Sequence, residues 1–519
     1  MMPDSISSNV TGLSIAQESA PKVLPAGAKF YEMEPNSFGD FGADYGRTAR
    51  RPIRANRSRS KGSITSMDAG GDFNVDICAN DLLKRHVQGF LFADAREKPQ
   101  NRPMNGTEYA VTGIAAGTGV YTGAAGIGAA SGIKAGHIVR INGASNVQNN
   151  GVFDVTAVAS TTVTTSNAGS VAEPAPPANV NIEAVGFKFA AGDVVLSLPA
   201  GGGVLRAVAT AGDFSTLGLT VGEWVFIGGD AAGLNLGANV GYARIAAIAA
   251  KTLDFDKTTF AAEASTGTGK QFTLYFGTTV RNETDVALIR QRSYTLQRAL
   301  GHDGDGIQSE LLQGSFASEL ALTSPLEDKL NADLTYVSMD HRTRTGAEGL
   351  ISGVNGASIL PVATGLAAYN TTTDVYRLRA AILDSTTLNP TALFGYVEEY
   401  DLTINNNVSI VKAQGTFGFA GNVGGFDVTG SLTAYFGSVQ AIAAIRANAD
   451  VTFDAIYAAR NTAFIIDLPL ISFGGGQLDV EADTPIKLPV DTEATEGPNG
   501  GHALLLTFLS YVPTAGMPA

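Results

Sequence analysis

Residues 62–92 read GSITSMDAGGDFNVDICANDLLKRHVQGFLF, and two periodicities meet in this stretch. Up to Ile77 it reads as two strands around a turn at Gly70 and Gly71, since glycine supplies the positive φ that tight turns need. Asn80 then stands as the cap of a short helix, and Leu83, Val87, Phe90 and Leu91 follow at helical spacing. A strand pair feeding one amphipathic helix is therefore the unit to look for elsewhere in the chain.

Just upstream, Arg47, Arg50, Arg51, Arg54, Arg57, Arg59 and Lys61 form a basic run with no acidic residue between them. Residues 1 to about 46 carry scattered Pro, Gly and Ser and read as irregular. The opening MMPDSISSNVTGLSIAQ has neither a basic n-region nor an apolar h-region. No run approaches the ~18 apolar residues of a membrane span. The expectation is a soluble protein made in the cytoplasm.

The 519 residues exceed one compact core and suggest three or four domains. With 61 glycines, 8% aromatics and 16% charged residues, the composition suits short strands joined by tight turns. A net charge of −14 argues against holding nucleic acid by phosphate neutralisation. The single cysteine, Cys78, excludes an intrachain disulfide and reads as a buried, inert thiol.

Between about 105 and 272 there is an internal repeat. SGIKAGHIVRINGASN (131–146) matches LGLTVGEWVFIGGDAA (217–232), pairing Gly132 with Gly218, Gly136 with Gly222, Ile141 with Ile227 and Gly143 with Gly229. GVFDVTAVASTTVTT (151–165) then matches GYARIAAIAAKTLDF (241–255). Each copy reads as a small SH3-like β-barrel, with AEPAPPAN (172–179) as a Pro-rich link. Trp224, the sole tryptophan, aligns with Ile138, which implies packing rather than ligand binding.

From 272 onward a two-residue apolar period is regular: Tyr294, Leu296 and Leu300; Phe316, Leu320 and Leu322; Leu402 and Ile404; Val408 and Ile410; Phe417 and Phe419. A second helix is expected over about 437–447, with Val439, Ile442 and Ile445 on one face. Strands are expected at 463–469, 477–483 and 503–512. GGDFNVDI plus helix (70–92) resembles GGFDVTGSL plus helix (424–447). SYTLQRAL and SFASELAL (293–322) would then parallel AFIIDLP and QLDVEAD. One strand-and-helix module is used twice, the first copy split by the two repeats.

The segments ARRPIRANRSRSKGSITSMDAGGDFNVDICANDLLKRHVQGFLFAD, SYTLQRAL, YDLTINNNVSIVKAQGTFGFAGNVGGFDVTGSLTAYF and IDLPLISFGGGQLDVEADTPIKLPV together resemble the tail tube proteins of long-tailed bacteriophages. The resemblance implies a mainly β fold: two tail-tube β-sandwich or barrel modules, each with a short helix, plus two inserted SH3-like β-barrels. It divides the chain into 1–104 (arm and first part of module 1), 105–185 and 186–272 (the two barrels), 273–390 (remainder of module 1) and 391–519 (module 2). It further implies a structural virion protein that polymerises into stacked rings, trimeric and pseudo-hexameric or hexameric, around a bore for DNA ejection. Its partners would be itself, the tape-measure, terminator and tip proteins, and passing double-stranded DNA, with assembly in the host cytoplasm. Under this reading Arg47, Arg50, Arg51, Arg54, Arg57, Arg59 and Lys61 make inter-ring contacts. The inserted barrels would decorate the outside, because a bore leaves them no room.

No catalytic constellation competes with this. The five histidines form no HxxxH, there is no GxSxG elbow, and one cysteine cannot make a paired-cysteine metal site. GTGK (267–270) has Ala264 at the leading glycine position of a phosphate loop and Gln271 where magnesium needs Ser or Thr. HDGDG (302–306) puts Ile307 at the next calcium-ligand position and reads as a hydrophilic turn. Glu398, Glu399 and Asp401 read as a solvated strand end. No enzyme activity, cofactor or metal is expected. The alternative class is a β-repeat surface adhesin or S-layer-like protein, against which stand the missing export signal and the Arg-rich run.

Overall fold

The structure is a computed structural model. It describes all residues except 1–10, 52, 54, 56–59, 79–80, 201, 232–234, 264–269, 304–305, 347, 352–356, 361–366, 384–386, 498–500 and 519. The protein is mainly β, with two α-helices among the described residues: α1, Asp81–Phe90, and α2, Val439–Arg446. None of these helices is long and apolar enough to cross a membrane. The chain forms two compact units. Unit 1 is Met1–Phe92, Arg290–Ala368 and Glu399–Ser431; unit 2 is Ala93–Ile289, Tyr369–Glu398 and Leu432–Ala519.

Unit 1 is built on two long strands, Gly306–Ser324 and Asn331–Gly346, paired antiparallel along most of their length. Strand Gly62–Asp76 flanks the second through Ala69–Asp76. Tyr294–Asp303 and the 400–405 segment flank the two halves of the first. Phe73, Leu334, Leu320 and Ile404 stand side by side across this sheet and are buried, because alternate residues share a face. Helix α1 covers that face. Leu83, Val87, Phe90 and Leu91 are all buried, and the Phe90 ring meets Tyr336 edge-on at 5.3 Å. The Tyr336 hydroxyl lies 3.0 Å from His86 Nδ1, and burial holds that imidazole down at about 3, so it is neutral. Asn80, the expected cap, lies outside the described residues.

Two expectations for this unit are corrected. Gly70 and Gly71 do not turn the chain; strand Gly62–Asp76 runs straight through them. They are glycine for want of space. A Cβ on Gly70 would sit 2.8 Å from the Tyr336 carbonyl oxygen, and one on Gly71 would sit 2.6 Å from the Phe41 ring. Gly70→Ala is therefore expected to lower stability by about 1–3 kcal/mol, overpacking outweighing the stiffer unfolded chain. Urea denaturation of the variant measures this; an unchanged midpoint would contradict it.

The stretch before residue 46 is not irregular either. It supplies strands Gly12–Gln17, Lys29–Met33 and Ser37–Phe38 and begins Gly42–Ala49. Gly12–Gln17 pairs with Tyr294–Asp303, burying Leu13 and Ile15, so its short apolar alternation is a real strand signal. The strand expected at Phe417 and Phe419 is present as Thr416–Asn422, with the two rings 41% and 55% exposed. Their hairpin, Ser409–Ala413 with Thr416–Asn422, turns its glycines inward instead. A Cβ on Gly421 would meet the Phe316 ring at 2.5 Å, and one on Gly418 would meet Ile410 at 2.7 Å.

In unit 2 the internal repeat is visible strand for strand. The first copy runs Val111–Ile114, Val120–Gly123, His137–Asn142, Gly151–Ala159, Thr162–Thr165 and Asn181–Lys188. The second runs Val194–Ser197, Leu205–Ala209, Trp224–Ile227, Gly241–Ile248, Thr252–Asp256 and Thr273–Tyr275. In both, the pairing order is first, second, fifth, fourth, third, sixth, and the two sixth strands pair antiparallel to make one 12-stranded sheet. Residues 185 and 186 both lie in the first copy's sixth strand. Each copy keeps its own core, around Tyr121 and Val139 in one and Phe214 and Phe255 in the other.

The repeat extends to single bonds. Gly136 and Gly222 share φ values of 91° and 90°. The next residue, His137 or Glu223, accepts from the backbone N–H three residues earlier, Lys134 or Thr220. The expected pairing of Gly143 with Gly229 slips by one. Gly143 (φ 85°) corresponds to Gly228 (φ 94°), because Asn142 has no counterpart after Ile227. Asn150 and Asn235 each bond both ways to the following residue of that turn, Ala144 or Gly229.

The remaining strands of unit 2 include Val375–Ile382, Val451–Ala459, Thr462–Gly475, Lys487–Thr495 and Leu505–Leu509. The 12-stranded sheet packs on them. Trp224, Phe226 and Ile138 share a core cluster with Ile456, Ile465, Leu509 and Val512. Buried charge crosses the same contact. Asp467 accepts from Trp224 Nε1 at 3.1 Å, from Lys257 Nζ at 2.8 Å and from Arg244 Nη1 at 3.4 Å. Asp454 accepts from Arg377 Nε at 2.7 Å and pairs with Arg379. Burial pushes the Asp467 carboxyl up, but the Lys257 and Arg244 charges and the lysine's hydrogen bond outweigh it and hold it at about 2. Residues 105–272 are therefore no free-standing decoration; they complete the core of this unit.

Helix α2 forms where expected, with the Ser438 hydroxyl accepting from Gln440 N–H at the cap. It buries Ala441 and Ala444, while Val439 is 72% exposed and Ile442 and Ile445 are half-buried, so the expected apolar face is rotated away from the core. Residues 477–483 are not a strand. Gly475 and Gly476, with φ of 72° and 89°, end the preceding strand, leaving only an isolated bridge from Asp479 to Lys487.

Candidate assembly surfaces

The face of the unit 1 sheet opposite α1 is a regular polar lattice. Its rows are Asp72–Thr335–Glu319–Asn405, Asn74–Asp333–Ala321–Thr403 and Asp76–Asn331–Thr323–Asp401. Five of these twelve positions are carboxylates and none is lysine or arginine. Amides bond along the rows and at their edge. Asn74 Nδ2 donates to Asp333 at 2.7 Å, Asn36 Nδ2 to Asp76 at 2.7 Å, and Asn405 Nδ2 to Glu319 at 2.9 Å. Lys329, at the rim, reaches Asp76 at 2.7 Å. Asp401, expected only as a solvated strand end, belongs to this lattice. Glu398 is apart from it and pairs with Lys487 at 2.8 Å. Polar residues alternating with Phe73, Val75, Ala332, Leu334, Leu320 and Leu322 were the sequence signal for this face.

A second surface is an arm. Strands Gly42–Ala49 and Gly62–Asp76 form an antiparallel ribbon whose far end pairs with nothing else among the described strands. Arg47, Arg50, Arg51 and Lys61 cluster at this end, all exposed and without an ion pair among the described residues. Ile53 and Ile64 are exposed beside them. Arg54, Arg57 and Arg59 lie outside the described residues.

At the root of the arm is a groove of about 1050 Å³. Gly70 and Gly71 are among its lining residues, Ile410 and Phe417 line it on the side of the glycine-backed hairpin, and Asp40, Asp44, Asp68 and Asp72 bring negative charge. Lys412 from the hairpin pairs with Asp68.

Of the sequence-expected chemistry, Gly304 and Asp305 of HDGDG and most of GTGK lie outside the described residues. Among the described residues no group of histidines, cysteines and carboxylates is arranged to hold a metal ion. The surfaces that remain are of the kind that meets other macromolecules: an acidic sheet face, a basic arm and a groove.

The sequence profile of the phage tail tube protein family matches residues 8–494, nearly the whole chain. The chain belongs to the phage tail tube protein family. As a tail tube protein it is a structural component of the virion tail, where such proteins assemble with themselves and meet other tail proteins. The β-rich fold fits that role. No curated protein matches this chain.

Proposed function

We propose that this tail tube protein polymerises into stacked rings whose bore carries DNA into the host, with the acidic lattice of unit 1 facing the bore. The observation that carries this reading is the lattice itself: five carboxylates and no basic residue on an ordered, half-buried sheet face. A duplex carries one charge per ~1.7 Å of axis, and a basic wall would hold it by releasing counterions. A wall of the same sign keeps it sliding.

Two tube modules per chain agree with the order of elements. Strand Gly62–Asp76 leads to α1 and then a three-strand antiparallel meander from Tyr294 to Gly346. Strand Asp427–Tyr435 leads to α2 and a like meander from Val451 to Thr495. The order thus matches SYTLQRAL with the Val451–Ala459 strand, one strand earlier than the sequence comparison had it. Three chains would then supply six modules, a trimeric ring in place of a hexameric one. The Arg-rich arm bridges copies, assembly takes place in the host cytoplasm, and the tape-measure, terminator and tip proteins meet the ends.

Electron microscopy of the purified protein tests this. Hollow tubes with a bore wider than a DNA duplex are expected. Tubes carrying D333K and D401K should retain DNA that parent tubes release at the same salt. Solid filaments, or equal release, would overturn the reading.

A further inference from the structure

The basic end of the arm and the groove at its root sit on one continuous ribbon. The ladder from Asp44 opposite Asp68 to Ala49 opposite Gly62 separates the groove lining from Arg50, Arg51 and Lys61 by about 16 Å at ~3.3 Å per residue. An end held in this way does not fold back onto its own root. We propose that the groove receives the arm end of a second copy of this chain. The proposal rests on the reading of the arm as a contact between copies and adds the receiving surface.

Charge complementarity identifies the occupant. The groove offers Asp40, Asp44, Asp68 and Asp72 against the single lysine Lys412; the arm end offers Arg47, Arg50, Arg51 and Lys61. Asp40 and Asp44 are exposed and make no ion pair among the described residues, so they are available to incoming guanidinium groups. The lining suits apolar side chains as well as charge. Ile410 and Phe417 give apolar contact to Ile53 and Ile64. The two surfaces are different patches of one molecule, so the contact is head-to-tail. Such contacts do not pair off into dimers; they repeat until a ring closes or a filament grows.

Three variants test this, each read by polymer sedimentation, with far-UV circular dichroism and thermal melting as the folding control. The arm variant carries R47E, R50E, R51E and K61E; the groove variant carries D40K, D44K and D68K; the third carries both sets. Each single set is expected to cut the polymer fraction about tenfold or more, because like charges then meet. The combined variant, with the signs exchanged, is expected to regain polymer. A groove variant that polymerises like the parent while the arm variant does not would overturn the groove as receiver and leave the arm's role standing. An arm variant that polymerises normally would end both readings. Two blocked single sets with no rescue in the combination would also overturn the pairing. As an independent check, D44C with R51C should give oxidised ladders of cross-linked copies that the single cysteines do not, and their absence in assembled protein counts against the contact.

Discussion

A chain lacking residues 105–272 is expected to be insoluble and to form no tubes. The span looks removable from the sequence, a pair of small repeats set between elements of another module. In the structure it carries part of a shared core. Deletion would expose Ile456, Ala458, Ile465, Leu509 and Val512, all buried against Trp224, Phe226 and Ile138. A contiguous apolar face of this kind drives association rather than staying in water. It would also remove Trp224, Arg244 and Lys257, which hydrogen-bond the Asp467 carboxylate. Expression of the deleted chain, with its soluble fraction and melting curve, decides the matter. A soluble, cooperatively melting product that still forms rings would mean that the repeats are dispensable.

Asp467→Ala is expected to cost about 3–5 kcal/mol, among the largest effects of any single substitution here, because it leaves Lys257 and Arg244 charged and buried without their shared carboxylate. Asp467→Asn should cost less, since its amide oxygen still accepts from Trp224. Acid titration adds a second readout. The folded carboxyl is held at about 2, below its ordinary 3.8. Its contribution is therefore fully present above about pH 4 and is lost as the pH falls through about 2. The parent's melting temperature should fall steeply across that window, and D467N should fall less. Parallel acid limbs for parent and D467N would show that another carboxylate governs acid unfolding.

Much of this fold was legible in the sequence where one physical period ruled. Leu83, Val87, Phe90 and Leu91 announced α1, and all four are buried. The six-strand repeat was visible because its turns need glycine at fixed places, as at Gly136 and Gly222. Legibility failed where glycine served space instead of conformation. Gly70 and Gly71 read as a turn but make room for Tyr336 and Phe41, and Gly421 makes room for Phe316. It failed again where an apolar alternation faces outward, as at Phe417 and Phe419, since periodicity identifies a face without saying what covers it. The basic run at 47–61 was evident from composition. Its receiving groove was not, because residues 39–44, 67–72 and 409–417 meet only through long-range pairing.

The joining of the two repeats also limits how this chain could have grown. Asn181–Lys188 and Thr273–Tyr275, the corresponding last strands, pair antiparallel with each other, so the two copies are related by a local twofold axis instead of a translation. In a solenoid each unit leaves a fresh docking edge for the next, and duplication lengthens the array indefinitely. Here the docking edge of each unit is consumed by its sibling. A third copy inserted in tandem would find no equivalent strand to pair with, and further enlargement of this region would have to come through its loops.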